Sequence, residues 1–225
     1  MRVEGVIDSM NFSSSHLEDY FFNDDYIVET VKSVSIFEPE RWRETFKKSL
    51  TRNIIEAKIL HTSTGLMLPI KRYSISPQKQ TLEFAGLNGY TDKSKLLNGL
   101  LCDLYEHIQD EVLTRLDIAI DFKGKIPNKV IKALCKSRTP FKFWNTTYYK
   151  TGKEKKSNVR LNIKTYMKSK KKNNLDYELE RLEFSFTSQY LQKAKIKDLE
   201  NLFVKMEKSI KKFSGLEVKI YPISY

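Results

Sequence analysis

Three stretches of this chain alternate apolar side chains with groups that can do acid, base or nucleophilic chemistry. Side chains along an extended strand point alternately to its two faces. In Thr114–Asp121, Leu116, Ile118 and Ile120 share one face, and Arg115, Asp117, Ala119 and Asp121 share the other. In Val159–Tyr166 the apolar set is Val159, Leu161 and Ile163, opposite Arg160, Asn162, Lys164 and Tyr166. In Glu180–Phe186, Leu182, Phe184 and Phe186 lie opposite Arg181, Glu183 and Ser185. A sheet with one wet face, its polar groups merely solvated, also produces such alternation. It accounts less well for Asp, Glu, Arg and Tyr gathered around small Ala119 and Ser185.

If the three strands are neighbours, Asp117, Asp121 and Glu183 could converge on a divalent cation, and hard oxygen ligands suit Mg2+ or Mn2+. Such an ion polarises a phosphodiester. Tyr166 could then attack phosphorus, with Lys164 and Lys168 holding the phosphate or lowering the phenol's pKa. Asp117 and Asp121 stand about 13 Å apart along an extended strand, so both reach one ion only if the strand bends. Asp117 with Glu183 is the expected pair, and Asp121 is expected to orient Arg115 or a lysine. Tyr148 and Tyr149 occupy adjacent positions of another strand, so one of them faces the polar side and is a reserve nucleophile.

These strands need a frame. Residues 1–25 read as a loosely structured entry, Tyr26–Phe37 as a strand and Glu40–Leu50 as a short helix. Asn53–Thr62, Gly65–Ile75 and Thr81–Leu87 read as an antiparallel meander that closes on an Asn88–Gly89 turn. Asp92 is expected to cap a helix carrying Leu96, Leu97, Leu100, Leu101, Leu104 and Ile108 on a buried face. Thr114–Phe122 is a strand, Pro127–Lys136 a helix, and Phe141–Lys150, Asn158–Lys168 and Tyr177–Ser188 three further strands. A helix over Tyr190–Phe213 ends at Gly215, and Leu216–Ile223 adds an edge strand. The expected fold class is α+β, a largely antiparallel sheet with helices packed on one face. Residues 1–110 and 111–225 are expected to be two halves of one globular unit, the second carrying the site.

The 225 residues include 40 Lys or Arg against 28 Asp or Glu, a net charge of +12. A surplus of that size favours a polyanionic partner, with nucleic acid ahead of anionic membrane. The basic side chains concentrate in Lys150, Lys155, Lys156, Arg160, Lys170, Lys171 and Lys172, which with Arg115 and Arg181 form the expected DNA-binding set. Cys102 and Cys135 have neither zinc nor disulfide-framework spacing. No apolar run approaches the roughly 20 residues that cross a bilayer, and no signal-peptide pattern opens the chain. The expectation is a cytoplasmic protein without a membrane partner.

Four motifs, in order over about residues 110–190, resemble those of the Rep_trans type of rolling-circle replication initiator, found on small plasmids and related phage elements. Arg115-Leu116-Asp117-Ile118-Ala119-Ile120-Asp121 is similar to that family's Arg-hydrophobic-Asp-x-Ala-x-Asp strand. Tyr148–Gly152 followed by Ser157 resembles its Tyr-x-Gly strand, Tyr166-Met167-Lys168 its Tyr-x-Lys, and Arg181-Leu182-Glu183 its Arg-hydrophobic-Glu strand. The resemblance implies a metal-dependent nick in origin DNA, single-stranded or supercoiled, with Tyr166 as nucleophile. It further implies a covalent phosphotyrosine intermediate, rejoining after displacement synthesis, a host helicase as partner, and a homodimer. The implied fold is relaxase-like without the paired histidines of that class, since His16, His61 and His107 are isolated. Two other readings stand beside it: a non-catalytic initiator module that only binds nucleic acid, and a palm-type polymerase, primase or metal nuclease. A ribosomal or membrane-surface role ranks below these.

Overall fold

A computed structural model describes residues 2–14, 26–33, 54–61, 67–73, 76–151, 160–168 and 175–221, with side chains described outside 26–80. Eleven described strands join one sheet: β1 Arg2–Ser14, β2 Tyr26–Ser33, β3 Ile54–His61, β4 Met67–Tyr73, β5 Ser76–Ala85, β6 Val112–Lys123, β7 Thr139–Phe143, β8 Thr146–Lys150, β9 Leu161–Lys168, β10 Leu179–Thr187 and β11 Glu217–Tyr221. The order is β2-β3-β4-β5-β1-β6-β10-β9-β8-β7, and β11 lies parallel to the start of β1. The other strand pairings among the described residues are antiparallel. The expected α+β class with a large antiparallel sheet is what the chain adopts.

The N-terminal stretch corrects the sequence reading. Residues 2–14 are not a loose entry but a central strand, hydrogen-bonded to β6 along Val6–Ser13 and to β5 along Ser9–Ser14. Its apolar residues change phase, with Val3 and Ile7 in one register and Met10 and Phe12 in the other. A β-bulge absorbs the slip: Ile7 pairs with Ile118 and Ser9 with Asp117, leaving Asp8 as the extra residue.

Among the described residues the α-helices are α1 Asp92–Asp103, α2 Tyr105–Ile108, α3 Asn128–Ser137, α4 Ser188–Leu191 and α5 Leu199–Ser214. Leu97, Leu100, Leu101 and Leu104 from the α1 region, Val130 and Leu134 from α3, and Phe203, Met206 and Ile210 from α5 join one apolar core with Leu116, Ile118, Ile120, Leu182, Phe184 and Phe186 of the sheet. Burying each such side chain contributes roughly 1.5–3 kcal/mol, which fixes the sheet's apolar face inward. The opposite face carries the polar residues.

Three boundaries differ from expectation. Thr91, not Asp92, caps α1, its side chain accepting from the Ser94 N–H. The stretch Phe141–Lys150 is not one strand but the hairpin β7–β8, turned at Trp144 and Asn145. The Tyr190–Phe213 helix is broken after Leu191, where Gln192 and Lys193 both take positive φ. The break lets Ala194 and Ile196 bond to Leu113 and Glu111 beside β6, so tertiary pairing overrides local helix propensity. Gly215, at φ 71°, ends α5 as expected. Of the other expected elements, Glu40–Leu50 lies outside the described residues.

Candidate active face of the sheet

Strand register decides which polar residues meet. Across β6, β10 and β9, Asp121 faces Arg181, which faces Tyr166. The next row is Ala119, Glu183 and Lys164, and the third is Asp117, Ser185 and Asn162. The three sequence-identified strands are therefore direct neighbours, with their polar sets on one face. These groups are not merely solvated. Arg181 is 1% exposed and Glu183 and Asp117 2% each, so each needs a partner to offset the loss of water.

Arg181 has the densest set. Its Nε and Nη2 reach the two oxygens of Asp121 at 2.6 Å each, its Nη1 reaches Asp8 at 2.5 Å, and Nη2 also donates to the Asn88 carbonyl at 2.9 Å. Burial alone would pull this guanidinium down, but the bonds to Asp121 and the charges of Asp8 and Asp121 more than reverse that and hold it above the ordinary arginine value. The Tyr90 hydroxyl donates to Asp121 at 2.7 Å, and burial followed by that carboxylate pushes Tyr90 up. Arg181 is an internal clamp joining β1, β6, β10 and the loop at Asn88.

The Tyr166 hydroxyl donates to Glu183 Oε2 at 3.0 Å, while Lys164 Nζ sits 2.7 Å from Glu183 Oε1. The Tyr166 phenol is raised well above the ordinary tyrosine value, first by burial and then by the Glu183 charge. A lowered phenol pKa was one expected role of the lysines; the phenol is instead raised, and the charge that opposes burial and Glu183 is that of Arg181. Glu183 is thus placed to take the phenol's proton. Lys168 Nζ donates to the Asn88 carbonyl at 2.7 Å, and burial and then nearby Arg181 push it down to about 8. A cleft of about 340 Å3 opens here, walled by Tyr166, Lys168, Arg181, Asp8, Lys93 and Gly89.

Arg115 holds Asp117 through two bonds of 2.8 and 2.6 Å. Burial works against the Arg115 charge, and the bonds to Asp117 overcome it, so Arg115 is raised. The sequence assigned Asp117, Asp121 and Glu183 to a metal, but the fold seats them in different rows of the face, each on a cation of the chain. Among the described residues no group of three His, Cys, Asp or Glu side chains is arranged to hold an ion. Asp117 is paired with Arg115, Glu183 with Lys164 and Asp121 with Arg181.

No family model matches this chain. No curated protein matches it either.

Of the reserve nucleophiles, Tyr148 pairs with Lys164 and shares its face, whereas Tyr149 pairs with Ile163 and packs into the core. Lys150 and Arg160 are exposed. Lys155, Lys156, Lys170, Lys171 and Lys172 lie outside the described residues. His107 is exposed on α2. Sequence reasoning missed Asp8, Asn88 and Tyr90. The phase slip around Asp8 was a readable signal for the first, since a bulge re-aims the side chain at the slip. Asn88 is marked locally only as a turn residue and Tyr90 not at all; their roles come from contacts with Asp121, Lys168 and Arg181.

Proposed function

We propose that this protein nicks and rejoins origin DNA to start rolling-circle replication, with Tyr166 as the nucleophile. The observation that carries the reading is the Tyr166–Glu183 hydrogen bond in a cleft walled by Tyr166 and Lys168, with Lys164 on the other Glu183 oxygen. The Tyr166 oxygen forms a bond to phosphorus as its proton passes to Glu183, the P–O3′ bond breaks, and the protonated Lys168 donates to the departing 3′ oxygen. Reversal by a 3′-hydroxyl rejoins the strand and returns the proton to Tyr166. In this scheme Lys164, held on the other Glu183 oxygen, supplies positive charge for the phosphate. On this reading the fold is a relaxase-like nicking fold without paired histidines, and plasmid or phage DNA is the substrate. A host helicase and a second copy of the chain are its expected partners.

The order of four motifs supports the reading alongside the geometry. Mg2+ or Mn2+ dependence is a separate part of the proposal, because an ion reaching Glu183 or Asp117 must compete with Lys164 or Arg115. One observation favours a second reading, a module that binds nucleic acid without cutting it: Asp117, Asp121 and Glu183 are each neutralised by a basic side chain already. A palm-type polymerase would instead incorporate nucleotides without any protein–DNA adduct.

The test incubates the full chain with supercoiled and single-stranded DNA of the source replicon, in Mn2+ and in EDTA, and reads SDS-resistant adduct on the labelled 5′ phosphate. The nicking reading expects an adduct that Tyr166→Phe abolishes. Equal cleavage by Tyr166→Phe overturns the assignment. Binding without cleavage in every condition supports the second reading.

A further inference from the structure

The hairpin β7–β8 carries aromatic side chains that the core does not use. Phe141 is 49% exposed, Phe143 57% and Trp144 82%, and every residue of β7 is exposed. Trp144 also takes φ 53° at the hairpin turn, a conformation that favours glycine. The Trp144 ring meets Phe143 edge-on at 6.4 Å between centroids, and neither ring is drawn into the core.

Register places this hairpin on the candidate active face. Phe143 faces Thr146, which faces Tyr166, and Phe141 faces Tyr148, which faces Lys164. Directly opposed residues of an antiparallel sheet share a face, so Phe141, Phe143 and Tyr148 continue the surface that holds Tyr166. Phe143 and Tyr166 are separated by two strand spacings, roughly 10 Å. Cations are interleaved: Lys150 Nζ sits 4.2 Å from the centroid of the Phe141 ring, and Lys164 Nζ 5.5 Å from that of Tyr166.

We propose that the β7–β8 hairpin is a stacking platform for single-stranded DNA, on which Phe143, Trp144 and Phe141 hold unpaired bases beside the phosphate presented to Tyr166. This rests on the nicking reading for its substrate. Exposed rings stack on any unpaired base, while interleaved lysines meet the backbone, and paired bases of a duplex offer no free faces. The alternative occupant, a second chain added at the sheet edge, is opposed by β7 itself. Pro140 supplies no N–H and Lys142 puts a charge there, two features that block strand addition.

The experiment measures binding of fluorescein-labelled oligo(dT) and of a duplex of equal length at fixed salt. The full chain is used with Tyr166→Phe to prevent cleavage and with Trp42→Phe so that Trp144 is its one tryptophan. Oligo(dT) is expected to quench Trp144 fluorescence. Phe143→Ala with Trp144→Ala is expected to weaken oligo(dT) binding by about tenfold or more while leaving duplex binding unchanged. Phe143→Tyr with Trp144→Phe, which keeps the rings, restores the affinity. Unchanged oligo(dT) affinity overturns the proposal, as does equal loss for the duplex. A change in sedimentation without a change in oligo(dT) binding assigns the hairpin to protein contact and also overturns it. Because binding is read without cleavage, failure of nicking and failure of stacking are separate results.

Discussion

Arg181 on β10 and Asp121 on β6 face each other in register and are joined by two parallel hydrogen bonds of 2.6 Å. The same guanidinium holds Asp8. Removing it leaves two carboxylates in a largely dry site, and breaking a buried pair from one side costs about 3–5 kcal/mol. Arg181→Met is expected to lose that much in urea unfolding. Replacing Asp8 and Asp121 by Leu in the same variant recovers most of it. Full stability of Arg181→Met alone would show that the clamp contributes nothing.

Glu183 accepts the Tyr166 proton in the proposed reaction, and an amide cannot. Glu183→Gln is expected to slow single-turnover adduct formation by about 10²–10⁴ while changing DNA affinity little. Quenched-flow kinetics checks this, and an unchanged rate would assign the proton to another group.

Lys168 stands at about 8, below the ordinary lysine value of 10.5, chiefly through burial. Above that pH it loses the proton it would donate to the leaving oxygen. Nicking is expected to fall as pH rises through 8, and Lys168→Arg, which stays protonated, moves the fall upward. The sign for stability follows from the same shift. Between about 8 and 10.5 the folded chain binds fewer protons than the unfolded chain, so stability rises with pH in that window. Melting temperatures compared with Lys168→Met are expected to favour wild type progressively from pH 8 to 10.

Mn2+ must displace Lys164 to reach Glu183. Lys164→Met is therefore expected to bind Mn2+ more tightly than wild type in calorimetry, and Glu183→Gln to bind it less tightly. Identical isotherms for wild type and Lys164→Met would place the ion elsewhere.

Gly89 lets the loop before α1 close over its first turn. A Cβ built there lies 1.8 Å from Ser94 Oγ. Gly89→Ala is expected to cost about 1–3 kcal/mol by overpacking, with part of the loss relieved by Ser94→Ala in a double-mutant cycle. Additive losses would show that the two positions do not meet.

Alternation with period two is local, so the residues of β6, β9 and β10 that share a face were legible along the chain. Tyr166, Glu183, Asp117 and Arg181 were named from that pattern alone. The antiparallel α+β class was legible for the same reason, because apolar periods and turn residues are written within each element. Tertiary structure decided the partners. Lys164 and Tyr166, rather than Asp117, lie at Glu183 because pairing register, set between strands far apart in sequence, chooses the neighbours. Asp8 entered the site through a bulge that exists only when β1 is held between β5 and β6. Arg181 became a buried clamp because two carboxylates and a carbonyl close around it, and burial makes those bonds obligatory.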